Sequence, residues 1–300
     1  MSYRLERRDA SLTDALRRIA LAEIDAIRAA HAAGPQDPAA VHEMRKSFKK
    51  LRALLRLVRD GMPDDQPAEN RVLRDAARSL AGHRDAAVRL ATLDRLVGPP
   101  AGGTGGLAPD LAALRDRLVR EAAEPGPAPD LGPLLSALDD RARGWRLHGA
   151  DRRILARGLA RTRRQARRAM MEAHRDRDAE ALHEWRKRAK DHWYQARLFQ
   201  PVWPEVMEAI VAEADALGEA LGEHHDISVL MEWIERQEPE PLSAESLELL
   251  AGRAQAEQDR IEEAAFVRGM RLFAGDPDEM AALWLDWRRI WRAEPDGRDD

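Results

Sequence analysis

Val41-His42-Glu43-Met44-Arg45-Lys46-Ser47-Phe48-Lys49 and Leu182-His183-Glu184-Trp185-Arg186-Lys187-Arg188-Ala189-Lys190 are two copies of one block, 141 residues apart. The same displacement relates Leu80-Ala81-Gly82-His83-Arg84-Asp85 to Leu221-Gly222-Glu223-His224-His225-Asp226, and Asp37 to Asp178. A third block, Asp140-x-x-Arg143-x-Trp145-Arg146, returns as Asp286-x-x-Arg289-x-Trp291-Arg292, displaced by 146. Three blocks repeated in the same order imply that one unit was duplicated. The repeats fall at about residues 10–146 and 151–292 of a single domain spanning 1–300.

The first block lies on a helical period. Val41, Met44, Phe48, Leu51, Leu55 and Val58 advance by threes and fours, the seam of a helix packed on a core. His42, Arg45, Lys49, Arg52, Arg56 and Arg59 follow the same steps one residue later. That offset is about 100° around the axis, so the cationic row flanks the buried face. In the second repeat the row reads His183, Arg186, Lys190, Trp193 and Arg197, with Trp193 in place of Arg52 and Asp191 in place of Lys50. The helix expected at 151–175 adds Arg153, Arg157, Arg161, Arg164 and Arg168. Like charges at helical spacing cost a few tenths of a kcal/mol per pair. Such rows therefore call for an anion, or for carboxylates brought from elsewhere. Arginine suits phosphate because its planar fork engages two oxygens and stays charged at any cellular pH.

His83 continues the apolar spacing of Leu73, Ala76 and Leu80, and His224 that of Met207, Ile210, Ala214, Leu217 and Leu221. Both should point inward. They serve either as core histidines bonded to a neighbouring helix or as donors to an anion, binding better below neutral pH.

The rest of the chain reads as helix. Asp37 and Asp178 are N-caps, and Pro38 sits at a first helical position. Helices are expected to about His31 and over 38–60, 67–96, 107–123, 130–145, 151–175, 178–199, 204–236, 243–272 and 277–292. No convincing strand is found, so the fold class is all-α. Trp284, Trp287 and Trp291 are spaced as a core seam.

Several classes of function are disfavoured. The absence of cysteine removes disulfides, thiolate metal sites and cysteine nucleophiles. There is no glycine loop ending in Gly-Lys-Ser/Thr, no Gly-x-Ser-x-Gly elbow, and no second histidine four residues after His42. Dense Lys and Arg also disfavour a divalent cation, so no metal or cofactor is expected. No apolar stretch approaches the roughly 18 residues of a membrane span, and the N-terminus lacks a signal-peptide core, which makes the cytoplasm the expected address. The net charge of −4 conceals an asymmetry: residues 141–200 carry 18 Lys/Arg against 7 Asp/Glu, and residues 201–300 carry 9 against 25. Such separation argues for a confined anion site rather than a general nucleic-acid surface.

Two helical repeats, each with a His-x-x-Arg-Lys helix and a later inward histidine, resemble the CHAD family, the conserved histidine α-helical domain. His42 to Arg52 with His83 to Asp85, and His183 to Lys190 with His224 to Asp226, carry the likeness. The resemblance implies two pseudo-twofold-related four-helix bundles enclosing a basic cleft or pore. It also implies non-enzymatic binding of inorganic polyphosphate and association with polyphosphate granules. No Glu-x-Glu-x-Lys start is present, so the chain resembles the stand-alone form. By motif, binding falls on His42, Arg45, Lys46, Lys49, His83, His183, Arg186, Lys187, Lys190 and His224. The rows add Arg52, Arg56, Arg197, Arg153, Arg157, Arg161 and Arg164. Two alternatives make distinct demands. A nucleic-acid-binding helical protein needs stacking aromatics, for which only Trp185 and Trp193 lie beside the cations. A metal-dependent phosphohydrolase needs bound divalent metal and turnover.

Overall fold

The computed structural model describes residues 3–34, 37–80, 85–98, 108–123, 129–237 and 242–295, and among them there are eleven α-helices and no strand. The first repeat forms α1 (Leu12–Ala33), α2 (Pro38–Leu57), α3 (Gln66–Ser79), α4 (Asp85–Val97), α5 (Pro109–Ala123) and α6 (Gly132–Gly144). The second forms α7 (Asp151–Asp176), α8 (Ala179–Phe199), α9 (Pro204–Glu235), α10 (Ala244–Leu272) and α11 (Pro277–Ala293).

The duplication is visible in local chemistry. The Asp37 side chain accepts from the Ala40 N–H at 2.9 Å, and Asp178 accepts from the Ala181 N–H at 2.7 Å, satisfying equivalent open donors at the starts of α2 and α8. Each of these helices runs into a single 3₁₀ turn, Arg59–Gly61 and Gln200–Val202, again 141 residues apart. The long helix expected at 67–96 is described only on either side of residues 81–84, as α3 and α4. In the second repeat α9 runs unbroken through the matching position. His83 belongs to 81–84 and lies outside the described residues.

The cores do not respect the repeat boundary. One contains Leu16, Ile19, Phe48 and Leu51 of the first repeat together with Tyr194, Leu198, Trp284 and Trp291 of the second. Another joins Leu93, Leu114 and Leu118 of α4 and α5 to Ile227, Leu230 and Ile261 of α9 and α10. A third surrounds Trp185, between α7, α8, α9 and α10. The expected tryptophan seam on α11 is buried at Trp284 and Trp291, while Trp287 packs edge-on to Trp203 with ring centres 5.1 Å apart.

Three contacts fix α2, the carrier of the first cationic row. Glu23 of α1 is fully buried and accepts from Lys50 Nζ and Ser47 Oγ, both at 2.8 Å. Removing one partner of such a buried pair costs about 3–5 kcal/mol, because the other charge is left stranded. Arg56 Nη2 reaches Asp191 Oδ1 of α8 at 2.5 Å, tying the equivalent helices of the two repeats together. On the third side α7 meets the end of α2 at Gly158, where a Cβ would stand 2.0 Å from the Leu57 carbonyl oxygen. Only a glycine permits that approach. No helix among the described residues is long and apolar enough to cross a membrane.

Candidate functional site

The cations of α8 divide by the face they occupy. Arg188 turns to Glu184 at 2.8 Å and to Asp191 at 3.2 Å. Arg186 and Lys190, four residues apart, instead lie across α9 against Gly222 and Gly218, also four residues apart. A Cβ on Gly222 would be 3.2 Å from Arg186 Nε, and one on Gly218 would be 2.6 Å from Lys190 Cε. Missing side chains on α9 thus make the channel in which the two cationic stems rest. Arg186 is half-buried, and its Nε is buried with no hydrogen-bond partner among the described residues.

One turn before Arg186, the His183 imidazole stacks on His225 of α9, with ring centres 4.0 Å apart and 30° between planes. His183 Nδ1 is likewise buried with no partner among the described residues. Burial, then His225, Lys187 and Arg186, push the His183 pKa down to about 4. Burial, followed by Arg186, pushes His225 down to about 4. Two imidazolium rings in contact beside two fixed cations would repel strongly, so both rings are neutral near pH 7. The group therefore holds two buried nitrogens without partners among the described residues, one of them on a guanidinium, a setting in which an anion binds favourably.

From the first repeat, Lys49 of α2 comes close enough for its charge to act on Glu219 of α9, together with Lys190 and Arg186. The rows of α2 and α8 thus converge at α9. Further along, Arg52 donates to Asn70 Oδ1 at 3.2 Å. Burial, then Arg56, Arg74 and Arg78, lower the Arg52 pKa to about 10 against the opposing pull of Asp191. Trp193, which replaces Arg52 in the second repeat, lies between Lys190 and Arg197, whose charged groups are 4.6 and 4.9 Å from its ring centre. A cation over an indole face is attracted by the ring quadrupole.

Other expected members lie elsewhere. His42 is exposed near the start of α2, and Arg45 and Lys46 are half-buried beyond it. Lys46 pairs with Glu43 at 3.2 Å and Lys187 with Glu184 at 3.1 Å, the same solvent-facing arrangement in both repeats and worth little in stability. His224 is buried, with Nε2 3.2 Å from Glu262 of α10, and burial lowers its pKa against the opposing charge of Glu262. That is the core-histidine arrangement, and it turns the ring away from the Arg186 group. Two of the expected α7 arginines are neutralised by distant acids: Arg161 forms two bonds to Asp60, at 2.8 and 3.1 Å, and Arg164 reaches Asp278 of α11 at 2.6 Å. Arg153 and Arg157 are exposed on the same helix.

Sequence reasoning missed His225, Gly218 and Gly222 as site residues. A signal for His225 was present: it stands one residue after the inward His224, the same 100° offset that carries the cations from the seam to its flank. The paired glycines at a spacing of four on α9, facing cations at a spacing of four on α8, were the other.

A duplicated all-α domain in which equivalent basic helices from both repeats are held side by side defines the class of protein. A family model for the CHAD domain matches residues 11–235, and the chain belongs to that family. Among solved structures, the crystal structure of the CHAD domain from the plant Ricinus communis is similar in fold. It shares 22% identity and a TM-score of 0.61, covering 90% of this chain and 94% of that one. The matched region ends at α9, and the structural likeness extends to most of the remainder. No curated protein matches the chain.

Proposed function

We propose that the protein binds inorganic polyphosphate, without turnover, in a cleft where Lys49 of α2 meets His183, Arg186, Lys190 and His225 around α9. The observation that carries this reading is the Arg186–His183 pair: the guanidinium Nε and the imidazole Nδ1, three residues apart on α8, are both buried without partners among the described residues. A linear polyanion has no sequence to be read, so a row of charge-assisted donors suffices for recognition. Arg52, Arg56 and Arg197 continue the row along the seam between α2 and α8. On this reading the protein acts in the cytoplasm at polyphosphate granules, and no bond need be broken.

The test is a titration of long-chain polyphosphate against single- and double-stranded DNA at low and near-physiological salt, with phosphate release followed in parallel. Binding of phosphate chains that survives added salt while DNA is lost, with no release of phosphate, is the expected result. Equal loss of both ligands would leave only a diffuse cationic surface, and released phosphate would mean an enzyme.

A further inference from the structure

Lys190 is not an open charge. Its Nζ donates to Glu219 Oε1 at 2.6 Å and to Asp215 Oδ1 at 3.2 Å, both on α9. Gly218, between those acids in sequence, leaves the space in which the lysine stem lies. Glu219 also faces more than Lys190. Partial burial pushes its pKa up, but the Lys190 hydrogen bond and the charges of Lys190, Arg186 and Lys49 outweigh this and hold it below the ordinary glutamate value. Three cations from the two repeats therefore act on one carboxylate. Its side chain is 71% exposed, so it can swing into solvent without disturbing the core. To these cations a carboxylate oxygen offers what a phosphate oxygen offers, a negative acceptor at hydrogen-bond distance.

We infer that Glu219, assisted by Asp215, is a built-in competitor for the anion site, occupying Lys190 in the free protein and displaced when a phosphate chain enters. The inference rests on the polyphosphate reading above and adds a gate to it. A sparse or weak anion gains too little at Lys190 to exchange for a carboxylate already in place, whereas a dense phosphate chain brings several charges at once. The exchange also alters the ionic bookkeeping. A lysine neutralised from within carries fewer condensed counterions, so its engagement releases fewer into solution.

The experiment compares the full-length protein with Glu219→Gln and with the Asp215→Asn, Glu219→Gln double variant, titrated with long-chain polyphosphate over a range of salt. Glu213→Gln is the control: Glu213 lies on the same helix but pairs with Arg268 of α10 at 2.5 Å, so it removes equal charge without touching Lys190. Glu219→Gln should tighten binding about two- to fivefold at low salt, the scale set by an exposed ion pair. Its log–log salt slope should steepen by up to about one unit, and the gain should vanish as salt rises. The double variant should exceed the single one, and the control should bind as the parent does. Unchanged or weaker binding by Glu219→Gln would overturn the inference, because the carboxylate would then be a positioning group for Lys190. Equal tightening by Glu213→Gln would overturn it as well, reducing the effect to net charge. A parent protein that fails to bind polyphosphate at all would instead remove the proposed function itself.

Discussion

Replacing Arg186 by Met should move stability and binding in opposite directions. The guanidinium rests in the notch at Gly222, and its Nε is buried with no partner among the described residues. A buried, unpaired N–H costs on the order of 1–3 kcal/mol. Arg186 also raises the positive potential felt by His183 and His225. Methionine keeps the length of the stem and deletes both penalties. The residue is only half-buried and some packing is lost, so the lower end of that range applies. The variant should be stabilised by about 1 kcal/mol, which for a chain of this size is a rise of roughly 2 °C in Tm. Binding should respond the other way. A hydrogen bond to a charged group is worth about 1.5–3 kcal/mol, so polyphosphate affinity should fall about ten- to a hundredfold. Calorimetry without ligand gives the first number, and titration at fixed salt gives the second. A variant that melts several degrees lower and binds normally would refute the reasoning and make Arg186 a packing residue.

pH provides a second check. His183 and His225 titrate at about 4 in the folded protein against an ordinary value of 6.5, so between those values the unfolded chain takes up protons that the folded one refuses. The contribution of these two rings to the stability of the free protein should therefore fall as pH drops from about 6.5 to about 4, by an amount that His183→Gln reduces in a thermal melt, while buried His192, lowered to about 3, extends the loss to more acidic pH. A bound phosphate chain raises both values in the complex. Affinity should then strengthen over the same acidic window, and a titration in which His183→Gln keeps the parent's pH profile would remove the rings from the site. Two glycines separate architecture from recognition. At Gly158 alanine gains about 1 kcal/mol of helix propensity, but its Cβ would meet a backbone oxygen at 2.0 Å, so chemical denaturation should show a net loss of about 1–3 kcal/mol. At Gly218 the obstacle is the mobile end of Lys190, so alanine should leave stability unchanged or improved while weakening polyphosphate binding several-fold. A stable Gly158→Ala protein or an unstable Gly218→Ala protein would contradict the close approaches described.

The helices were legible because their determinants are local. Asp37 and Asp178 cap where the sequence placed them, and the Val41-to-Leu55 seam is buried. The cationic rows were legible as rows, but not their destinations. Nothing near Arg161 or Arg164 in the chain announces that Asp60 and Asp278 will neutralise them. The seam rule found His224 and left its role open, and the structure gives it the first of the two roles, a core histidine bonded to Glu262; His225, one residue on and stacked on His183, was not singled out. The expected gain in binding below neutral pH shifts to more acidic values, since the degree to which burial and neighbouring charge depress an imidazole is a property of the assembled helices.

On the proposed function, a protein of net charge −4 holds a polyanion because attraction and repulsion act over different distances. At physiological salt, fields between exposed charges decay over about 8 Å. The donors of Arg186, Lys190 and His183 act at hydrogen-bond range and are partly shielded from solvent, so screening weakens them little. Of the 25 acids of residues 201–300, those remote from Lys190 act mainly on what approaches from outside. A stiff duplex, which must bring a broad charged surface to the protein, meets that repulsion before it can reach the α8–α9 channel. A flexible phosphate chain can enter end-on or as a loop, exchange with Glu219, and engage one cation after another. On that reading the acidity of residues 201–300 is part of the selectivity, and neutralising acids remote from Lys190 should raise DNA binding in proportion more than polyphosphate binding.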